Sequence, residues 1–197
     1  MNTSTTTPTA TSDRIAAGTT DPAPGSYQID PSHSSLEAVA RHLMVSKVRG
    51  RFGDFGGTIV VADDVTQSRV EVEIDAASIN THDVQRDGHL RSDDFLDVER
   101  FGKLRFVSTQ VERVGSDWKV RGDLTIRDVT QAVTLDVSYL GQLSDPWGNT
   151  RAAFSATTQL DRESFGMTWN QALEAGGVVV GKTLNIELEI EAVLQAE

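Results

Sequence analysis

Residues 182–195 read KTLNIELEIEAVLQ, and this stretch decides the fold class. Leu184, Ile186, Leu188, Ile190, Ala192 and Leu194 recur at every second position, with Glu187, Glu189 and Glu191 between them. Successive side chains of a strand point to opposite faces, so this spacing makes one face apolar and the other wet. At 3.6 residues per turn the same residues would scatter around a helix. The stretch reads as a long, half-buried β-strand.

The same period runs through the chain. Val70, Val72 and Ile74 alternate with charges in SRVEVEIDA. Trp118, Val120, Leu124 and Ile126 share a face with Gly122 in DWKVRGDLTIR. Val133, Leu135, Val137 and Tyr139 form a third set, and Phe154, Ala156, Thr158 and Leu160 a fourth. Weaker strand patterns cover 35–42, 45–52, 55–62 and 103–113. Turn signals separate them: Gly56-Gly57, Val114-Gly115-Ser116, Asp145-Pro146-Trp147-Gly148 and Gly176-Gly177. About nine hairpin-spaced strands imply an all-β sandwich or an antiparallel barrel. Strands of about 10–12 residues favour the barrel, because closure removes exposed edges.

One stretch breaks the alternation. Residues 81–98, within NTHDVQRDGHLRSDDFLDV, are rich in charge and predict a short helical crossover. Thr81 or Asp83 is the expected N-cap, and Asp87 with Arg91 the expected ion pair four residues apart.

Composition narrows the function. Acidic residues number 29 against 18 basic, a formal net charge of -11, which argues against nucleic acid as partner. The chain has no cysteine, so disulfides, zinc-thiolate sites and thiol catalysis are absent. Residues 1–25, dominated by Thr, Ser, Ala, Pro and Gly, read as a disordered tail, leaving one domain over 26–197. That tail has neither the basic nor the apolar region of a secretory signal, so a cytoplasmic protein is expected.

No chemical motif stands out. His33, His42, His82 and His89 lack metal-ligand spacing, so no metal site and no cofactor are expected. No G-x-S-x-G elbow occurs, and a set such as Ser34, His89 and Asp87 could be assembled from nearly any sequence. Lys47, Arg49 and Arg51 alternate in VSKVRGRF, a basic stripe suited to an anionic membrane surface or to neighbouring acids, the latter being favoured.

Taken in order, YQIDPSHSSLEAVARHLMVSKVRGRFGDFGGTIVV, the DAASINT and RDGHLRSDDFLDVERF blocks, GDLTIRDVTQAV and LDRESFGMTW resemble the YceI-like, polyisoprenoid-binding family. The resemblance implies an extended, lipocalin-like antiparallel β-barrel. It also implies a pore for a long apolar lipid, polyisoprenoid or fatty-acid-like, and binding, storage or transport without catalysis. Ala38 departs from the aromatic usual there, which would widen the cavity if it points inward.

For the apolar tube the expected residues are Phe106, Leu124, Ile126, Phe154, Leu160, Phe165, Met167 and Trp169. For the polar mouth they are Arg41, His42, Arg86 and His89. A competing reading makes Arg86, Asp87 and His89 a network that pins the crossover to the barrel end. Two functional alternatives stand beside the carrier. One is an enzyme acting on such a lipid through His89 with Asp87 or Asp93, and the other a stress-related structural protein with a filled barrel. A homodimer and transient membrane contact are further expectations.

Overall fold

A computed structural model of the chain describes residues 21–43, 45–173 and 176–196. Residues 1–20 of the expected tail lie outside the described residues. Its end does not dangle: Asp21 pairs with Arg113, and the Ala23 amide donates to the Gln142 side chain at 3.2 Å.

Eleven strands form one sheet: β1 (Gly25–Ile29), β2 (Ser35–His42), β3 (Ser46–Phe52), β4 (Phe55–Val61), β5 (Arg69–Asp75), β6 (Ile79–Asn80), β7 (Lys103–Val114), β8 (Asp117–Ile126), β9 (Val129–Ser144), β10 (Thr150–Asp161) and β11 (Val180–Leu194). Eight of them close a ring, β1-β4-β5-β7-β8-β9-β10-β11, which the β1–β11 pairing completes. All pairings are antiparallel. The long β11 has a divided edge. Ala192–Leu194 pair with β1 and close the ring, whereas Val180–Glu189 pair with β2 and carry the β2-β3-β6 ribbon. That ribbon extends the barrel at one end.

The alternation read in the sequence becomes the inner wall through register. Trp118 stands opposite Val137, Val137 opposite Ala156, Ala156 opposite Leu188, Leu188 opposite Leu36, and Leu36 opposite Phe52. A one-residue slip in any pair would turn a whole strand's apolar set outward, so register and core specify each other. Gly122 serves this wall by its missing side chain. A Cβ there would lie 2.5 Å from the Phe106 ring and 2.6 Å from the Val107 carbonyl.

The crossover contains α1 (Val84–Arg91), with Asp83 as its N-cap. The Asp83 carboxylate accepts from the Arg86 amide at 2.9 Å, satisfying one of the donors the first turn leaves free. The expected Asp87–Arg91 pair is replaced by other bonds. Arg91 donates instead to the Ala77 and Ile79 carbonyls, at 2.8 and 2.7 Å, and so ties the helix to the segment before it. Below the crossover, Phe95, Leu96, Leu104, Ile126, Leu160 and Met167 pack as the core of that barrel end.

Candidate functional site: a hollow barrel

The barrel is hollow. A cavity of about 700 Å³ runs from Arg41 and His42 at the α1 end to Pro22, Val65 and Trp118 at the other. Protein interiors rarely leave voids much larger than a water molecule, and small-molecule sites occupy roughly 300–1,000 Å³. The filled interior considered from the sequence is therefore corrected: the inward residues line a space and do not fill it.

Seven of the eight expected tube residues face this cavity: Phe106, Leu124, Ile126, Phe154, Leu160, Met167 and Trp169. Phe165 does not. It ends a short turn over Arg162–Phe165, is fully buried, and packs into the core around Phe95 and Met167. Phe165 ends the turn that follows β10, so the strand alternation that places Leu160 does not place this ring. Ala38 faces inward, as do its wall neighbours Ala40 and Gly50. Ala38 pairs with Ile186 on one side and Gly50 on the other, so this patch of wall is thin.

All four expected mouth residues, Arg41, His42, Arg86 and His89, line the same cavity. Their surroundings differ. Arg86 is committed: its Nε donates to the Thr81 hydroxyl at 2.7 Å and Nη2 to the Thr81 carbonyl at 2.9 Å. Asp87, buried beneath, accepts from the Thr81 amide at 2.8 Å and from the Thr81 hydroxyl at 2.6 Å. Burial alone would raise the Asp87 pKa, but the two Thr81 bonds, with Arg91 and Arg86 nearby, hold it below the ordinary value. Arg86, Thr81 and Asp87 thus form the pinning network.

His89 stands outside that network. Its Nε2 lies 2.8 Å from the Asp94 carboxylate, and the ring meets Phe95 and Trp169 edge-on at 5.0 and 4.6 Å. Neither Asp87 nor Asp93 is its partner, which corrects the pairing on which the enzymatic alternative was built. Ser34 is also remote from it: its hydroxyl accepts from the Glu191 amide at 3.0 Å. The basic stripe divides in the same way. Arg49 pairs with Glu37 and Glu187 at 2.9 and 2.6 Å, and Arg51 donates to the Ser34 carbonyl at 2.9 Å.

Asp30, His33 and Glu191 bring three potential ligand atoms within 4.8 Å of one another. A guanidinium already occupies the cation's place. Arg151 Nη1 lies 2.8 Å from Asp30 and 2.5 Å from Glu191.

Sequence reasoning missed Arg162. This side chain is fully buried and touches the cavity, and its Nε donates to the Gly181 carbonyl at 3.0 Å and Nη1 to that of Met167. A lone arginine in LDRESFGMTW offers no pattern that would announce burial. Its bonds hold the chain after β10 against the start of β11 beside the mouth.

With this geometry in place, the chain can be set beside known proteins. The YceI-like domain pattern matches residues 27–192. The chain belongs to the YceI-like family. A UPF0312 protein of Staphylococcus aureus (strain USA300) is 39% identical over 167 residues, covering 84% of this chain and 95% of that protein. Among solved structures, Burkholderia cenocepacia BcnA superposes with a TM-score of 0.73 at 19% identity, over 83% of this chain and 98% of that one. A polyisoprenoid binding domain from Saccharophagus degradans gives a TM-score of 0.63 at 17% identity, over 86% and 98%. At such identities these two likenesses speak for the shared barrel fold. The YceI-like pattern starts at residue 27, so Pro22, which lines the end of the cavity, lies before the matched region.

Proposed function

We propose that this YceI-like protein carries or stores a long apolar molecule, an isoprenoid or acyl chain, in its barrel without transforming it. The observation that supports this reading is the cavity of about 700 Å³, walled by apolar side chains along the barrel and fringed by cationic and imidazole groups at one end. A ligand with a long hydrocarbon body and one polar head matches that division. Burying about 20 chain carbons at ~0.8 kcal/mol each contributes on the order of 16 kcal/mol. Lost freedom of chain and protein takes back a large part of it, and the remainder suffices for tight binding. Such binding requires no catalytic group.

Organic extraction of the purified protein followed by mass spectrometry tests the proposal. A stoichiometric apolar compound is expected, or uptake of one equivalent of an added prenyl or fatty chain. A protein that yields none and takes up none would refute the carrier reading.

A further inference from the structure

Of the 18 lysines and arginines, Arg14 lies outside the described residues. Among the described residues, the side chains of Arg41, Lys47 and Arg69 have no hydrogen-bond or ion-pair partner. Two of these three face each other: Arg41 and Lys47 are direct cross-strand partners on β2 and β3. Like charges in that position repel, and acidic neighbours could have relieved the repulsion. Among the described residues none does. Arg41 and the adjacent His42 line the cavity mouth.

Between the two cations the hairpin tip presents apolar side chains to solvent. Leu43 is 42% exposed and Val45 82%. Leu43 also sits at φ 51, a left-handed conformation uncommon for a bulky residue, fixed by its amide donating to the Val179 carbonyl at 2.9 Å. On the other side of the mouth, Val84 opens α1 at 90% exposure, and the next two residues, Gln85 and Arg86, line the cavity. Exposed aliphatics and unpaired cations thus coincide at the opening of an apolar cavity.

We propose that the β2–β3 hairpin tip seats the cavity mouth on an anionic lipid bilayer, with Leu43 and Val45 entering the headgroup layer and Arg41 and Lys47 meeting its charge. This rests on the carrier reading, because a long apolar cargo dissolves poorly in water and has to be exchanged with a membrane. The charge pattern supplies the direction. A net charge of -11 repels an anionic surface from most of the molecule, so attraction concentrated at the mouth also orients the approach.

The full-length protein should float with phosphatidylcholine vesicles containing phosphatidylglycerol, but not with pure phosphatidylcholine vesicles, and salt should weaken the association. Lys47→Gln should reduce binding about fivefold, and Lys47→Gln with Arg41→Gln about 30-fold. Arg69→Gln, which removes the third unpaired base far from the mouth, should change nothing. Leu43→Ser with Val45→Ser should slow loading of a fluorescent prenyl chain from vesicles while leaving its uptake from a cyclodextrin complex unchanged. Wild-type protein that loads from cyclodextrin yet ignores anionic vesicles overturns the docking surface and leaves the carrier standing. So does an equal response of the Lys47 and Arg69 variants. Protein that takes no chain from either source overturns the carrier reading itself.

Discussion

Asp87 and Thr81 are joined twice, the carboxylate accepting from both the amide and the hydroxyl of one residue at 2.8 and 2.6 Å. Both residues are buried, and Arg86 closes the set from above through the Thr81 hydroxyl and carbonyl. The charged motif in the middle of the chain is therefore chiefly a clamp. It fixes α1 over the end of the barrel and so shapes the mouth. Replacing Asp87 with Ala strands a buried amide and hydroxyl, and should cost about 2–3 kcal/mol in urea unfolding. Asp87→Asn retains an accepting oxygen and should cost less. Equal stability of Asp87→Ala and wild type would show that the clamp is dispensable.

His89 should behave differently. Its carboxylate partner Asp94 is exposed, and its main contacts are the ring edges of Phe95 and Trp169. His89→Ala should lose about 1 kcal/mol of aromatic packing and retain a stoichiometric apolar ligand. Complete loss of ligand in a folded variant would give this imidazole a direct part in holding it.

Gly122 couples the wall to the cavity. An alanine Cβ would meet the Phe106 ring and the Val107 carbonyl, and the ring is the part that can move, towards the hollow interior. Gly122→Ala should destabilise by about 1–3 kcal/mol and lower the bound stoichiometry of the longest chains. Thermal melts with and without ligand, across chains of graded length, measure both effects.

The thin wall at Ala38 permits the opposite experiment. Ala38→Phe adds a ring to the cavity-lining side of the wall, beside Gly50 and Ile186. The variant should stay folded, while the maximum chain length accepted should fall. An unchanged length limit would mean that the ligand does not pass Ala38.

Acid should loosen the barrel end opposite α1. Hydrogen bonds from Arg151 first, then from Ser32 to Asp30 and from Asn149 to Asp145, hold both carboxyls well below the usual carboxylate range. A pKa depressed by folding contributes stability that is present above the unfolded value of about 3.9 and is lost as pH falls through the folded value. Wild-type stability should therefore be flat near neutrality and decline below about pH 4. Arg151→Gln should be less stable at pH 7 and show a shallower acid decline, measured by urea unfolding at pH 7 and pH 3. Parallel curves for the two proteins would show that other carboxylates dominate acid unfolding.

How much of this was legible beforehand differs from one residue class to another. The strands were legible because alternation is a local property. Leu184 to Leu194, or Trp118 to Ile126, state their inward face without reference to any partner. An N-cap at Thr81 or Asp83 was legible because capping is also a local property, and the fold places it at Asp83. Phe165 and Arg162 were not, because they lie in a turn after β10 where no period operates. The fates of Asp87, His89 and Arg49 were equally hidden, since Thr81, Asp94 and Glu187 become their neighbours only when the crossover and the sheet are in place.

The amino-acid sequence by itself determined an all-β architecture, the apolar face of each long strand, a polar crossover near its middle and, through its motif blocks, the YceI-like family. Only the tertiary structure decided that the closed ring stays hollow, that the cationic and imidazole groups of its lining gather at the α1 end, and which of the described cations there are paired. The physical reason is that period and composition report which way a side chain faces. Volume and pairing depend on what stands opposite across the barrel, and that is set by strand order and register.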